Sequence, residues 1–395
     1  MGGVNNTKLI LNDPKWSNVK EVKGNIQRRN IRVKYKFSNK KITMAIIAAT
    51  FISSIFVACS AKSSSNSVKT DKVQIVDMTN RSVKIPADVK NVLSINPPTT
   101  MMTYMLAPDK LMGWNFKMTG KYMPDKYKKL PIVGGWYGTT KGDYEKYMAL
   151  KPDVIIEGGR TNAQSVDIIK RDAEEDQQKL GGIPVVGATD TVTFVNFPNY
   201  IKFMGKVLGE NQQAERLISF YNKVINQTKS VAATIQDNQK VKVYYAQGSK
   251  GLQTAPAQSM HTQPIDICGG VNVAQVALDK MGMVEVSSEQ VLKWDPDVII
   301  ATDASFYKGV YSDPVWQGIK AVKNHKVYLV PNDPFNWYDR SPSVNMILGI
   351  PWTAKILYPD KFQNIDLNGL IKEFYSNFYH YKLTDSDVNA LLNNQ

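Results

Sequence analysis

Helical periodicity in this chain is most sustained between residues 208 and 236. Ala214, Leu217, Ile218, Tyr221, Val224, Ile225, Thr228 and Val231 recur at spacings of three and four, which predicts one apolar helix face. Neither Gly nor Pro interrupts residues 210–236. The prediction is a rod of roughly 40 Å. A twin sequence flanks it on each side. Residues 145–156 read EKYMALKPDVII and residues 289–300 read EQVLKWDPDVII, offset by 144 throughout. Each twin predicts a short helix followed by a wholly apolar strand.

The pattern elsewhere alternates strand and helix. Residues 73–76 and 81–86 predict a hairpin, and 91–95 a buried strand with a helix from Asn96 to Leu106. Strands are expected at 111–114, 131–135, 183–186, 241–246 and 326–330. Helices are expected at 163–179, 194–207, 263–268, 314–321, 342–357, 366–377 and 383–392. The order implies an α/β fold: two α/β lobes with largely parallel sheets, joined by one long backbone helix. The chain is expected to cross between lobes once. The divisions are 1–58 (extension and signal peptide), 59–71 (tether), 72–207 (first lobe), 208–238 (backbone helix) and 239–395 (second lobe with closing helices).

Charge changes this picture only at the N-terminus. The net charge is +14, but residues 1–58 hold eleven Lys or Arg against two acids, so only five net charges remain for the body. That distribution argues against nucleic-acid binding. Residues 42–58 carry no charge and follow Arg32, Lys34, Lys36, Lys40 and Lys41, as in a secretory signal. Residues 1–31 are long for such a leader, so translation is expected to begin near Val33. Phe56-Val57-Ala58-Cys59 resembles a bacterial lipobox, with Phe where Leu is preferred. It predicts lipidation at Cys59 and a polar tether on the extracytoplasmic face of the membrane. The second cysteine, Cys268, predicts a buried thiol.

From about residue 72 to 380 the chain resembles the helical-backbone substrate-binding proteins of ABC importers for ferric siderophores, haem and vitamin B12. The likeness rests on the Arg81–Pro86 opening, Val133-Gly134, both Glu-x6-Pro-Asp-Val-Ile-Ile units, Gly269-Gly270-Val271-Asn272, and Trp316 with residues 321–331. The resemblance implies a receptor, not an enzyme, and GxSxG, HExxH, GxGxxG and Walker A patterns are absent from the sequence. It implies a ligand cleft between the two lobes and docking on a permease served by its ATPase; a monomer is expected. One acid per lobe would meet permease arginines; by motif position these are Glu145 and Glu289. A ferric siderophore or related metal chelate is the first expectation for the ligand, then haem, then a corrinoid. An enzyme or an adhesion module is the rival of another class.

Ligands of two-lobed α/β proteins sit beyond strand C-termini. That rule selects Asn96, Thr99, Trp114, Trp136, Tyr137 and Arg160 from the first lobe. From the second it selects Tyr245, Gln247, His261, Trp337, Tyr338 and Arg340. Aromatic rings offer flat apolar contact, and Arg answers carboxylate or catecholate oxygens. His261 or Tyr245 could complete the coordination of a chelated metal or a haem, as side chains do in some members of that family. Three scattered His do not predict a site for a bare metal ion, and no cofactor is expected.

Overall fold

In the computed structural model, which describes residues 71–160, 165–277, 283–339 and 342–393, the twin strands are interior strands of two separate parallel sheets. The first sheet runs Val92–Ser94, Val154–Glu157, Val185–Gly187 in spatial order. The second runs Val327–Leu329, Val298–Ala301, Lys242–Ala246, Val271–Asn272. The leader and the expected lipidation site at Cys59 lie outside the described residues, as does Arg340.

The twins fold alike because their polar residues repeat as well as their apolar ones. Asp143 caps the helix Tyr144–Leu150, and Ser287 caps Ser288–Trp294. Each helix ends on a left-handed residue, Lys151 or Asp295. The next Asp then pins the strand start. Asp153 Oδ2 accepts the Lys90 and Asn91 amides at 2.8 Å, and Asp297 Oδ2 accepts that of Lys242 at 2.9 Å.

Both twin strands are buried on two faces, as parallel strands between layers must be. Their side chains alternate between cores. Ile155 joins an outer cluster with Leu93, Tyr147 and Val185, and Ile299 joins one with Tyr244, Trp316 and Val327. Val154, Ile156, Val298 and Ile300 point into a shared core with the long helix and the C-terminal helices.

The long helix spans Asn211–Ala232, 22 residues or about 33 Å, shorter than its sequence implies. Leu208 ends the preceding helix, Phe197–Leu208, and Gly209 turns left-handed with φ 70°. Past Ala232 the chain tightens into a turn, with the Thr234 hydroxyl donating to Val231 O at 2.7 Å, and the Ile235 side chain folds into the core. Ala214, Leu217, Phe220, Tyr221, Val224, Ile225 and Thr228 form the buried face, with Ile218 and Val231 at its margin.

Other expectations need correction. Residues 111–114 and 131–135 make only isolated bridges, Val92 to Leu111 and Trp114 to Ile132. Residues 314–319 are turns, with Asp313 Oδ1 accepting the Val315 amide, and helix resumes only at Lys320–Lys323. An unexpected helix, Ala304–Gly309, is capped by Asp303. Contact between the two sheet regions also extends beyond the long helix. Asp333 accepts the Lys121 and Tyr122 amides at 2.9 and 3.0 Å, and Tyr104 donates to Tyr379 O at 2.6 Å. Aromatic surface drives this return: Phe335 lies against Tyr104 and Trp114.

Candidate functional site

Strand C-termini of the two sheets supply two polar rims. On the first rim, Asn96 caps the helix Pro97–Leu106 by accepting the Thr99 amide, and its own amide donates to Gly159 O. The Thr99 hydroxyl donates to Asn96 Oδ1 at 2.7 Å. Thr191 donates to Gly158 O at 3.2 Å. A side chain at Gly158 would stand 2.4 Å from Thr99 Cγ2, so the strand end and the helix start meet through bare backbone.

Arg160 sits beside this rim in a carboxylate network. Its guanidinium reaches Glu157 at 3.0 Å and Asp172 at 3.5 Å, and it also bonds Asp176. It lies 5.7 Å from the Trp136 ring, which packs on Tyr144 at 4.4 Å. Tyr137 is half-buried in the adjoining turn, where Gly138 N donates to Arg160 O at 2.8 Å. Arg160 thus serves as counter-ion to its own neighbours. Trp114 is a core residue: it is 1% exposed and donates to Tyr127 O at 2.8 Å.

Burial pushes the Glu157 carboxyl up to about 7; Arg160 pulls it back, and the Asp176 carboxylate adds to the rise. Between its ordinary value of 4.5 and about 7, the native state holds a proton that the unfolded chain has released. Stability from this group therefore falls as pH rises through that window, by about 3 kcal/mol in full. Glu157→Gln should melt near wild type at pH 5 and above it at pH 8. Parallel pH profiles for the two proteins would contradict the assignment.

The second rim centres on Asp339, which is 4% exposed. His261 Nδ1 stands 2.9 Å from Asp339 Oδ1, and Gln247 Nε2 donates to Oδ2 at 2.8 Å. Local chain chemistry holds Asp339 in place. Asn336 Oδ1 accepts the Tyr338 and Asp339 amides at 2.8 and 2.9 Å, an Asx turn, while Asn345 donates to Asn336 O. Gly349 lets the helix Met346–Leu357 press on this turn, since an added Cβ would meet Trp337 O at 2.3 Å. Tyr245 stacks on Tyr338 at 5.5 Å. Trp337 is fully buried and bonds the Tyr375 hydroxyl at 3.4 Å, so it is wall rather than rim.

The rims meet where Ser343 donates to Pro98 O at 3.4 Å. Gln263 adds a clamp, donating to Val192 O at 2.9 Å and accepting the Phe194 amide at 3.1 Å.

This arrangement has counterparts. Residues 93–334 match the family model described as periplasmic binding protein. The chain belongs to that family. It is 27% identical over 326 residues to the uncharacterized ABC transporter substrate-binding lipoprotein YvrC of Bacillus subtilis, covering 80% of this chain and 96% of YvrC. It is 25% identical over 352 residues to the molybdate-binding protein MolA of Haemophilus influenzae, covering 83% and 96%. An ABC transporter solute binding protein from Sulfurospirillum deleyianum superposes with a TM-score of 0.74 at 31% identity, covering 81% of this chain and 99% of that one. Members of the family are extracytoplasmic solute-binding partners of ABC permeases and ATPases, not enzymes.

Within this binding protein the structure gathers Gln247 and His261 about one carboxylate, with Tyr245 and Tyr338 stacked as a pair of their own. Asp339, their hub, was not among the residues expected to bind ligand. Its only sequence signal is its place in the polar and aromatic run from Asn336 to Pro342.

Proposed function

We propose that this binding protein captures a metal chelate, a ferric siderophore or related complex, between the two rims and delivers it to its permease. The observation that carries this reading is His261 Nε2. It is buried and has no hydrogen-bond partner among the described residues, while Nδ1 is held by Asp339. A buried imidazole oriented by a carboxylate, with its far nitrogen open, is the arrangement a metal centre uses. The rim residues Asn96, Thr99, Tyr245, Gln247, His261 and Tyr338 are all buried. The lobes would be residues 72–207 and 239–395 about the long helix. Cys59 would carry the lipid anchor of a monomer, and Glu145 and Glu289 would dock the permease.

Ferric nitrilotriacetate, which leaves coordination positions to water, is a direct probe. Titration calorimetry should show binding by wild type and a loss of about tenfold or more in His261→Ala. Equal affinity in the two proteins would overturn the reading, as would no binding by wild type to this or a ferric catecholate.

A further inference from the structure

We infer that Asp339, Gln247 and His261 form an acceptor-only recognition unit, which admits a cationic or donor-bearing metal centre and rejects oxoanions. The inference rests on the metal-chelate reading above and deepens it, since the comparison with MolA leaves molybdate as a rival ligand class.

The argument runs through proton placement. An ionised carboxylate has only acceptor sites. Asp339 Oδ2 lies 2.8 Å from the Gln247 amide, so that amide must turn its NH2 toward Asp339 and its Oε1 away. Asp339 Oδ1 lies 2.9 Å from His261 Nδ1, so the neutral ring carries its proton there and a lone pair on Nε2. The two atoms that Asp339 does not engage, Gln247 Oε1 and His261 Nε2, are then both acceptors. Both are buried, and neither has a hydrogen-bond partner among the described residues. Gln247 is 0% exposed and His261 7%, so water does not satisfy them from bulk.

Two unfilled acceptors, each oriented by the same buried carboxyl group, fit a defined partner. A metal ion offers an empty orbital to Nε2, and a metal-bound water or N–H group offers a proton to Oε1. Molybdate offers only oxygen lone pairs, so it would face like poles at both atoms. Asp339 is a positioning residue here, because it acts on the ligand through the ring and the amide it orients.

Asp339→Asn inverts the unit. Its amide can donate to Nδ1, which moves the ring proton to Nε2 and turns that atom into a donor. The full chain, purified in detergent, would be titrated at pH 8 with ferric nitrilotriacetate and, separately, with molybdate. Wild type should bind the chelate about 100-fold or more tightly than molybdate. Asp339→Asn should weaken chelate binding about 10- to 100-fold while leaving molybdate affinity unchanged or raised. A merely structural role would weaken both together, and that result overturns the inference. So does wild type binding molybdate as tightly as the chelate. Should Asp339→Asn fail to fold, Gln247→Met removes one acceptor at equal chain length. It should lower the chelate-to-molybdate ratio about tenfold by the same outer-shell effect, and an unchanged ratio overturns the inference. Full chelate affinity in His261→Ala would instead overturn the underlying reading, and this inference with it.

Discussion

Cells that depend on this chain should import no ligand when Glu145 and Glu289 are both reversed to Lys, while the purified double variant binds ligand as wild type does. Both side chains are exposed, and each is the second residue of its twin helix. Acids are favoured at helix N-termini, but both side chains face solvent, so each reversal leaves the fold intact. Hydrogen bonds from its own backbone N–H and from the Ser287 hydroxyl hold the Glu289 carboxyl below its usual range, which keeps it charged. Two fixed carboxylates at equivalent points would pair with permease arginines by charge-assisted bonds. Two lysines would repel the same arginines. The check is radiolabelled ligand uptake beside titration of the purified variant. Normal uptake would remove both residues from docking, and lost binding would place them in the ligand site instead.

Tyr221→Pro should destabilise the whole described body by ~3 kcal/mol or more, in a single transition. Position 221 is mid-helix in Asn211–Ala232, where Pro removes a backbone donor and its ring strikes the carbonyl one turn earlier. The substitution also deletes a side chain that packs on Phe197 and donates to Phe194 O at 2.5 Å. Tyr221→Phe isolates that hydroxyl, with an expected loss of about 1 kcal/mol. One transition is expected because the inner faces of both sheets and the long helix share one core. Urea unfolding followed by fluorescence and circular dichroism tests this. A wild-type curve, or two separated transitions, would show that the helix does not couple the sheets.

The twins show what local sequence can specify. A cap, an apolar stripe, a left-handed stop and an Asp-led apolar strand are all encoded within fifteen residues, 143–157 and 287–301, and both copies fold as they read. Residues 314–319 show the limit. Their composition allows helix, but Asp313 takes the Val315 amide and turns the chain instead. Trp114 and Trp337 read as ligand-facing because loops carry function, yet both fill core, where a large ring contributes most. Arg160 reads as an anion binder until Asp172 and Asp176 arrive from the following helix.

Sequence by itself determined the α/β alternation, the twin units, the long helix and the likeness to importer binding proteins. The first three follow from periodicity and spacing between near neighbours; the likeness is a resemblance carried by several motifs in a set order along the chain. Tertiary structure decided which polar residues share a site. Asp339 lies 78 residues from His261 and 92 from Gln247, and no local pattern joins them. Their meeting depends on the Asx turn at Asn336, the bare backbone at Gly349 and the packing of the second sheet against the C-terminal helices. The open acceptors that define the candidate site exist only once that packing has excluded water from them.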